Sequence, residues 1–211
     1  MAWEKYYEIT QDAEPHKNLE IFLRKNVKPG IAVDLGCGSG RDTVCLIKNG
    51  WTVVAFDINN NADYILQKLN DEEKNRFTFV KSSIQEAELP KCDLVVANYS
   101  LHYLKKEEFK GVIDKIYDSL NTNGHFISEF LSDKDDWAKV NPNDAFLSWK
   151  EFKEVMGNKF ELNEIRNFEM DGPTIGGEQK HWHITRVVTR ARNKNLVVAN
   201  VKNKKTEDYE R

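Results

Sequence analysis

Short apolar, β-branched runs recur along the chain, separated by stretches with helical spacing. The runs that read as strands are 31–36 (IAVDLG), 52–58 (TVVAFDI), 77–82 (FTFVKS), 92–99 (CDLVVANY), 124–131 (GHFISEFL), 160–168 (FELNEIRNF) and 181–190 (HWHITRVVTR). The first, second and fourth are apolar almost throughout, which predicts parallel strands covered on both faces. Stretches 41–49, 61–70 and 106–120 read as helices. In the last of these, Phe109, Val112, Ile113, Ile116, Tyr117 and Leu120 recur at threes and fours. Asn49-Gly50 and Asn123-Gly124 read as helix-ending turns before the next strand.

Alternating strands and helices predict an α/β fold with right-handed crossovers. After residue 159 two strands follow each other across DGPTIGGEQK with no room for a helix. The expected architecture is therefore a seven-stranded, mostly parallel sheet ending in an antiparallel hairpin. Residues 3–26 read as one or two amphipathic helices broken near Pro15, and 132–147 as an irregular excursion. Residues 1–190 are expected to form one domain. The Lys- and Asn-rich 191–211 is expected to be a poorly ordered tail.

Composition narrows the function classes. With 40% hydrophobic and 31% charged residues the chain is of ordinary globular make-up. Thirty-one Lys and Arg against 34 Asp and Glu leave a net charge of −3, which argues against a partner selected by bulk positive charge, such as nucleic acid or an anionic membrane. Cys37, Cys45 and Cys92 form no CxxC pair, so neither a disulfide framework nor a zinc ribbon fits. No secretory signal or bilayer-length apolar run is visible, and a cytoplasmic location is the expectation.

The chemistry concentrates in VDLGCGSGRDT, residues 33–43. Gly36, Gly38 and Gly40 follow a strand and open a helix, where a tight turn and close approach of backbone to ligand are possible. A dinucleotide fingerprint requires G-x-G-x-x-G; counted from Gly36 the sixth position is Arg41, and from Gly38 it is Thr43, so the register fails. Asp34, two residues before the first glycine, would repel a pyrophosphate but suits an ammonium group. Asp57, at the end of the second strand, stands where a carboxylate accepts hydrogen bonds from both hydroxyls of an adenosine ribose. Ammonium and ribose diol without phosphate describe S-adenosylmethionine.

This constellation resembles the class I S-adenosylmethionine-dependent methyltransferases over about residues 30–190. CDLVVANYSLHYL is similar to that family's fourth-strand segment, and SLNTNGHFIS to its turn before strand five, with Asn123-Gly124 in place of Pro-Gly-Gly. WEKYY and EQKHWHITRVV look like a bacterial small-molecule subgroup near the tellurite-resistance and thiopurine enzymes. The resemblance implies a Rossmann-like three-layer sandwich, S-adenosylmethionine as cofactor and a small-molecule acceptor. It also implies cofactor contacts from Asp34, Gly36, Gly38, Gly40, Arg41, Asp57, Ile58, Ser83, Ile84, Asn98 and Tyr99. Ser83 departs from the family, many of whose members carry an acid there for the adenine amino group.

Other residues keep two readings open. Arg41 either clamps a carboxylate or makes a surface ion pair. His102, just past the fourth strand, is either a general base or a solvated helix-start residue, so it stands as a candidate catalytic group only. Trp3, Tyr6 and Tyr7 are a lid or a core-facing stripe. Asn98-Tyr99-Ser100-Leu101 does not match the N-P-P-Y of base-methylating enzymes. His181 and His183 share a strand face, but no third ligand has telling spacing and no metal is expected. Competing functions are a nicotinamide-dependent oxidoreductase and a non-catalytic S-adenosylmethionine-binding module.

Overall fold

The computed structural model describes residues 3–162 and 164–193. Its strands are β1 (Ile31–Leu35), β2 (Thr52–Asp57), β3 (Phe77–Lys81), β4 (Cys92–Val96), β5 (Leu120–Leu131), β6 (Ile165–Pro173) and β7 (Gln179–Arg190). The helices are α1 (Trp3–Thr10), α2 (Lys17–Leu23), α3 (Arg41–Lys48), α4 (Ala62–Leu66), α5 (Asp71–Lys74), α6 (Lys106–Ser119), α7 (Asp136–Val140) and α8 (Trp149–Met156). All seven strands form one sheet in the order β3-β2-β1-β4-β5-β7-β6. The first five run parallel, β7 is antiparallel to β5, and β6 is antiparallel to β7.

This is the Rossmann-like three-layer sandwich. One face of the sheet offers Leu35, Val95, Phe126 and Val187 to Phe109, Ile113 and Ile116 of α6 and Phe152 of α8. The other offers Ala32, Val53, Leu94, Val96 and Ile127 to Leu19 and Phe22 of α2, Leu46 and Ile47 of α3, and Ile65 of α4. From β1 the chain winds outward to β2 and β3 on one side and to β4 and β5 on the other. The C-terminal ends of β1 and β4 thus flank the point of reversal, where open α/β sheets bind ligands.

Several boundaries differ from expectation. The helix expected over 61–70 is two short ones, because Asn70 and Glu73 form a capping box that starts α5. Asn123-Gly124 does not end a helix. α6 stops at Ser119, and Asn123, with φ +65°, lies inside β5, where the register to β4 shifts between Cys92 and Leu94. The strand expected over 160–168 begins at Ile165. Phe160 makes only an isolated bridge to Ala191, and β6 runs on through Gly172-Pro173 to a tight turn closed by Thr174 N donating to Glu178 O at 2.7 Å. Pro173 is tolerated because β6 is an edge strand. α8 was not expected at all. Most of the anticipated tail, 194–211, lies outside the described residues. No helix among the described residues is long and apolar enough to cross a membrane.

Candidate active site

Strand β1 runs out into a loop in which Gly36, Gly38 and Gly40 all have positive φ (+73°, +56° and +84°). Gly40 is the N-cap of α3, and a Cβ built on it falls 2.1 Å from Ile65 Cγ1, so no other side chain fits there. The loop spends four of its amides internally. Gly36 N and Cys37 N donate to Phe56 O, Gly40 N to Cys37 O, and Gly38 N to Asp57 Oδ2 at 2.9 Å. Those are donors that a phosphate-cradling loop turns toward its ligand. The structure therefore supports the argument from register against a dinucleotide.

Asp57 closes β2 beside this loop. Its carboxylate accepts from Gly38 N, from Asn59 N at 3.0 Å and from Tyr7 OH at 3.1 Å. Tyr7 comes from α1, which lies across the loop. Both Tyr6 and Tyr7 approach Gly38, Thr10 Oγ1 meets Ser39 Oγ at 2.9 Å, and the Trp3 ring packs edge-on against Tyr103 at 5.4 Å. α1 thus spans the ligand end of the sheet from β2 to the far side of β4. Burial, followed by the nearby Asp57 charge, raises the Tyr7 phenol pKa, with a bond from Asn59 opposing.

Asp34 is buried and accepts from Thr43 Oγ1 at 2.6 Å. Burial, and then the negative charges of Asp42 and Asp57, raise its pKa well above the usual carboxylate range, so a positive group placed beside it would favour its ionised form. Asp42 is wrapped by His16 N (2.8 Å), His16 Nδ1 (2.7 Å) and Asn98 Nδ2 (2.7 Å). Burial opposes its ionisation, but the bonds from His16 and Asn98 overcome this and keep its pKa below the usual range. Arg41 Nη2 contacts His16 Nε2. Since a guanidinium only donates, the arrangement assigns the imidazole proton to Nδ1, facing Asp42. Asn98, expected in the pocket, is spent on Asp42 and on a reciprocal pair with Asn18 at 2.6 and 3.1 Å. His16, Asn18 and Asp42 went unnoticed in the sequence. They fasten α2 to the glycine loop and β4, and no local pattern links positions 16 and 18 to position 98.

The remaining expected residues fall into two groups. Ile58 is half exposed just past β2, and Ile84 lies near Gly36 with Ser100. Ser83 does not offer its proton to a ligand, because its hydroxyl donates to Glu86 Oε2 at 2.8 Å. Tyr99 leaves β4 in the left-handed region (φ +51°), a strained conformation for an aromatic residue. Its ring lies 5.2 Å from that of His16. Burial and then the adjacent Glu129 raise its phenol pKa.

His102 is neither solvated nor an ordinary base. It is 2% exposed in a 3₁₀ turn, Leu101–Tyr103, and its ring sits among Tyr103 (4.2 Å), Phe146 (5.7 Å) and Trp137 (6.4 Å). Neither ring nitrogen has a hydrogen-bond partner. Burial, with a smaller effect from the Lys180 charge, pushes its pKa down to about 3. The ring therefore does not titrate near pH 6.5, and no loss of rate through His102 is expected there. The shift acts on stability instead. The unfolded imidazole takes a proton near 6.5 and the folded one only near 3, so stability present above 6.5 is lost as pH falls through that window. His102→Phe is expected to flatten the stability–pH profile there by up to about 1.4 kcal/mol per pH unit. Denaturant midpoints between pH 6.5 and 4 check this, and parallel profiles for both proteins would refute it.

Lys180, beside His102, is buried with its ammonium 3.9 Å from the ring centroids of both Trp137 and Trp182 and paired with Asp135. Asp135 also caps α7 through Trp137 N at 3.0 Å, so this cluster ties α7 to the start of β7. His181 and His183 pair with Asp171 and Glu169 respectively, and no group of three potential metal ligands occurs among the described residues.

Comparison with known proteins bears on the same region. Residues 33–126, from β1 into β5, match a family described as a methyltransferase domain. The carboxy-S-adenosyl-L-methionine synthase of Campylobacter jejuni is 28% identical over 160 residues, 69% of this chain and 64% of that protein. Phosphoethanolamine N-methyltransferase 1 of Triticum aestivum is 32% identical over 148 residues, covering 63% of this chain and 30% of that protein. The chain thus spans less than two thirds of either relative. In fold it is similar to the crystal structure of TehB from Haemophilus influenzae, with a TM-score of 0.67 and 18% identity over 84% of this chain and 63% of that one.

Proposed function

From membership of the class I S-adenosylmethionine-dependent methyltransferase superfamily, to which this chain belongs, we propose that it transfers a methyl group from S-adenosylmethionine to a small-molecule acceptor. The observation that carries the reading is the joint between loop and strand. The glycine loop turns four of its amides inward, and Asp57, a carboxylate at the end of β2, holds Gly38 through Oδ2 and would meet a ribose diol once Tyr7 OH gives up its place on Oδ1. Asp34, buried beneath the loop with its pKa raised by burial and by Asp42 and Asp57, suits an ammonium-bearing ligand, whose charge would favour the carboxylate. Arg41, on the rim of the loop, suits a carboxylate. Ile58 and Ile84 offer apolar contact to a base.

The cofactor supplies an electrophilic methyl group on a sulfonium, a leaving group that needs no activation by the protein. What the chain contributes is proximity and orientation. α1 covers the loop and excludes water, while the His16–Asp42–Asn98 network sets the position of β4's exit, where Tyr99 stands. His102, neutral at all but acid pH, does not fill the place of a titrating general base.

Calorimetry tests the reading. The protein is expected to bind S-adenosylmethionine and S-adenosylhomocysteine, and nicotinamide dinucleotides far more weakly; the reverse order would sink it. Formation of S-adenosylhomocysteine in the presence of a metabolite extract then separates an enzyme from a binding module. Tyr7→Phe probes the lid. Because Tyr7 OH occupies a lone pair of Asp57 that a ribose hydroxyl would use, its removal is expected to tighten S-adenosylhomocysteine binding about fivefold while lowering stability by about 1 kcal/mol. Weakened binding would show that the phenol contacts the ligand rather than competing with it.

A further inference from the structure

One rung of the sheet crosses three strands at its ligand end. Glu129 on β5 stands opposite Arg186 on β7, and Arg186 stands opposite Arg166 on β6. Directly opposed residues share a face of the sheet, and like charges so placed repel. The rung holds a single carboxylate, and it pairs with only one of the two guanidiniums. Arg186 Nε pairs with the buried Glu129, and among the described residues no acid reaches Arg166, which is exposed.

Arg186 is also held in place. Its guanidinium lies over the Phe168 ring, 4.5 Å from the centroid, and with Nε committed to Glu129 its terminal nitrogens have no partner among the described residues. An ordered fork of this kind matches a carboxylate in two parallel hydrogen bonds. Beyond the arginines, the same face of β6 carries Phe168 (38% exposed) and Met170 (56% exposed). Glu129 leads back to the centre of the site, because Tyr99 N donates to Glu129 O at 2.6 Å. With strands about 4.8 Å apart, β7 stands about 10 Å from β4, within reach of a small molecule that spans both.

We propose that Arg166 and Arg186 seat the carboxylate of a small organic acid whose apolar body lies along Phe168 and Met170, and that this acid is the methyl acceptor. The final part rests on the methyltransferase reading; the seat itself does not. A neutral or cationic acceptor would leave the Arg166 charge uncompensated, whereas a carboxylate removes the repulsion within the rung.

Two measurements on the full chain test this. In the first, protein saturated with S-adenosylhomocysteine is titrated calorimetrically with trans-cinnamate, cinnamamide and inorganic phosphate. Cinnamate is expected to bind at least about tenfold more tightly than the other two. Arg166→Gln, at an exposed position outside the cofactor site, is expected to lose about tenfold for cinnamate and nothing for S-adenosylhomocysteine. Arg186→Lys, which keeps the charge but not the fork, should lose affinity for cinnamate as well. Equal binding of cinnamate and cinnamamide, phosphate binding as tight as cinnamate, or an indifferent Arg166→Gln would overturn the seat. So would a molecular mass in sedimentation that halves on Arg166→Gln, which would assign this face to a second copy. In the second measurement, a metabolite extract is split by ion exchange and methylated products are sought by mass spectrometry. Products in the anionic fraction, reduced by Arg166→Gln, are expected; products confined to the neutral or cationic fractions would overturn the acceptor assignment. Failure to bind S-adenosylhomocysteine would remove the methyltransferase reading while the cinnamate titration still decides the seat.

Discussion

Gly40→Ala is expected to lower stability by about 2–5 kcal/mol, the largest effect of any single methyl group added to this protein. Two costs combine. A left-handed residue with a Cβ loses about 1–2 kcal/mol, and overpacking a filled core costs about 1–3 kcal/mol. Both apply here, since Gly40 has φ +84° and its added methyl would stand 2.1 Å from Ile65 Cγ1, on a side chain with no exposed surface. Relief requires α4 to move away from α3, which also displaces the loop that begins α3. For a chain of this length the melting temperature should drop by roughly 10 °C. Gly111→Ala is the control. It lies within α6 with nothing within 4 Å of its added methyl, and is expected to stabilise by about 0.5–1 kcal/mol. Thermal melts of the two variants moving in the same direction would contradict this account.

Asp57→Ala is expected to cost more in ligand affinity than any other single change at the site. Loss of charge-assisted bonds to a ribose diol should weaken S-adenosylhomocysteine binding about 10- to 150-fold. The structure adds a second consequence that strand position alone does not suggest. Asp57 is buried and accepts from Gly38 N, Asn59 N and Tyr7 OH, so its removal leaves donors of the loop and of α1 without a partner. Folding is therefore not spared, and a fall of about 1–3 kcal/mol should accompany the lost affinity. Asp57→Asn, which keeps one accepting oxygen for Tyr7 OH and Asn59 N but turns its amide N–H toward Gly38 N, should recover part of the stability and little of the binding. Calorimetry and denaturant titration separate the two effects. An Ala variant with an unchanged dissociation constant would place the ribose elsewhere.

Much of the architecture was legible because its signals are local. β1, β2 and β4 stood out as apolar runs, and α6 by its spacing of Phe109, Val112, Ile113 and Ile116, since burial on one or both faces writes a period into the chain. α8 carries a local signal of its own. Ser148 and Glu151 form a capping box, and Phe152 and Met156, four apart, are buried. β6 was misplaced for a different reason. As an exposed edge strand it carries little apolar pattern, and its extent is set by pairing with β7 down to Pro173 opposite Gln179.

What the sequence by itself determined is the set of local chemistries: the D-x-G-x-G-x-G loop, the failed dinucleotide register, Asp57 at a strand end, and hence the class of ligand. These depend on spacings of a few residues, within which backbone geometry is nearly fixed. Only the tertiary structure decided the state of each group. It made His102, readable as a general base or as a solvated helix-start residue, a buried neutral ring, raised the Asp34 pKa by burial and then through the charges of Asp42 and Asp57, and spent Asn98 on Asn18 and Asp42. It also set Glu129, Arg186 and Arg166 in one row. Desolvation and Coulomb interactions depend on distance through space, and residues 80 apart in the chain, such as Asn18 and Asn98, meet only when the sheet brings them together.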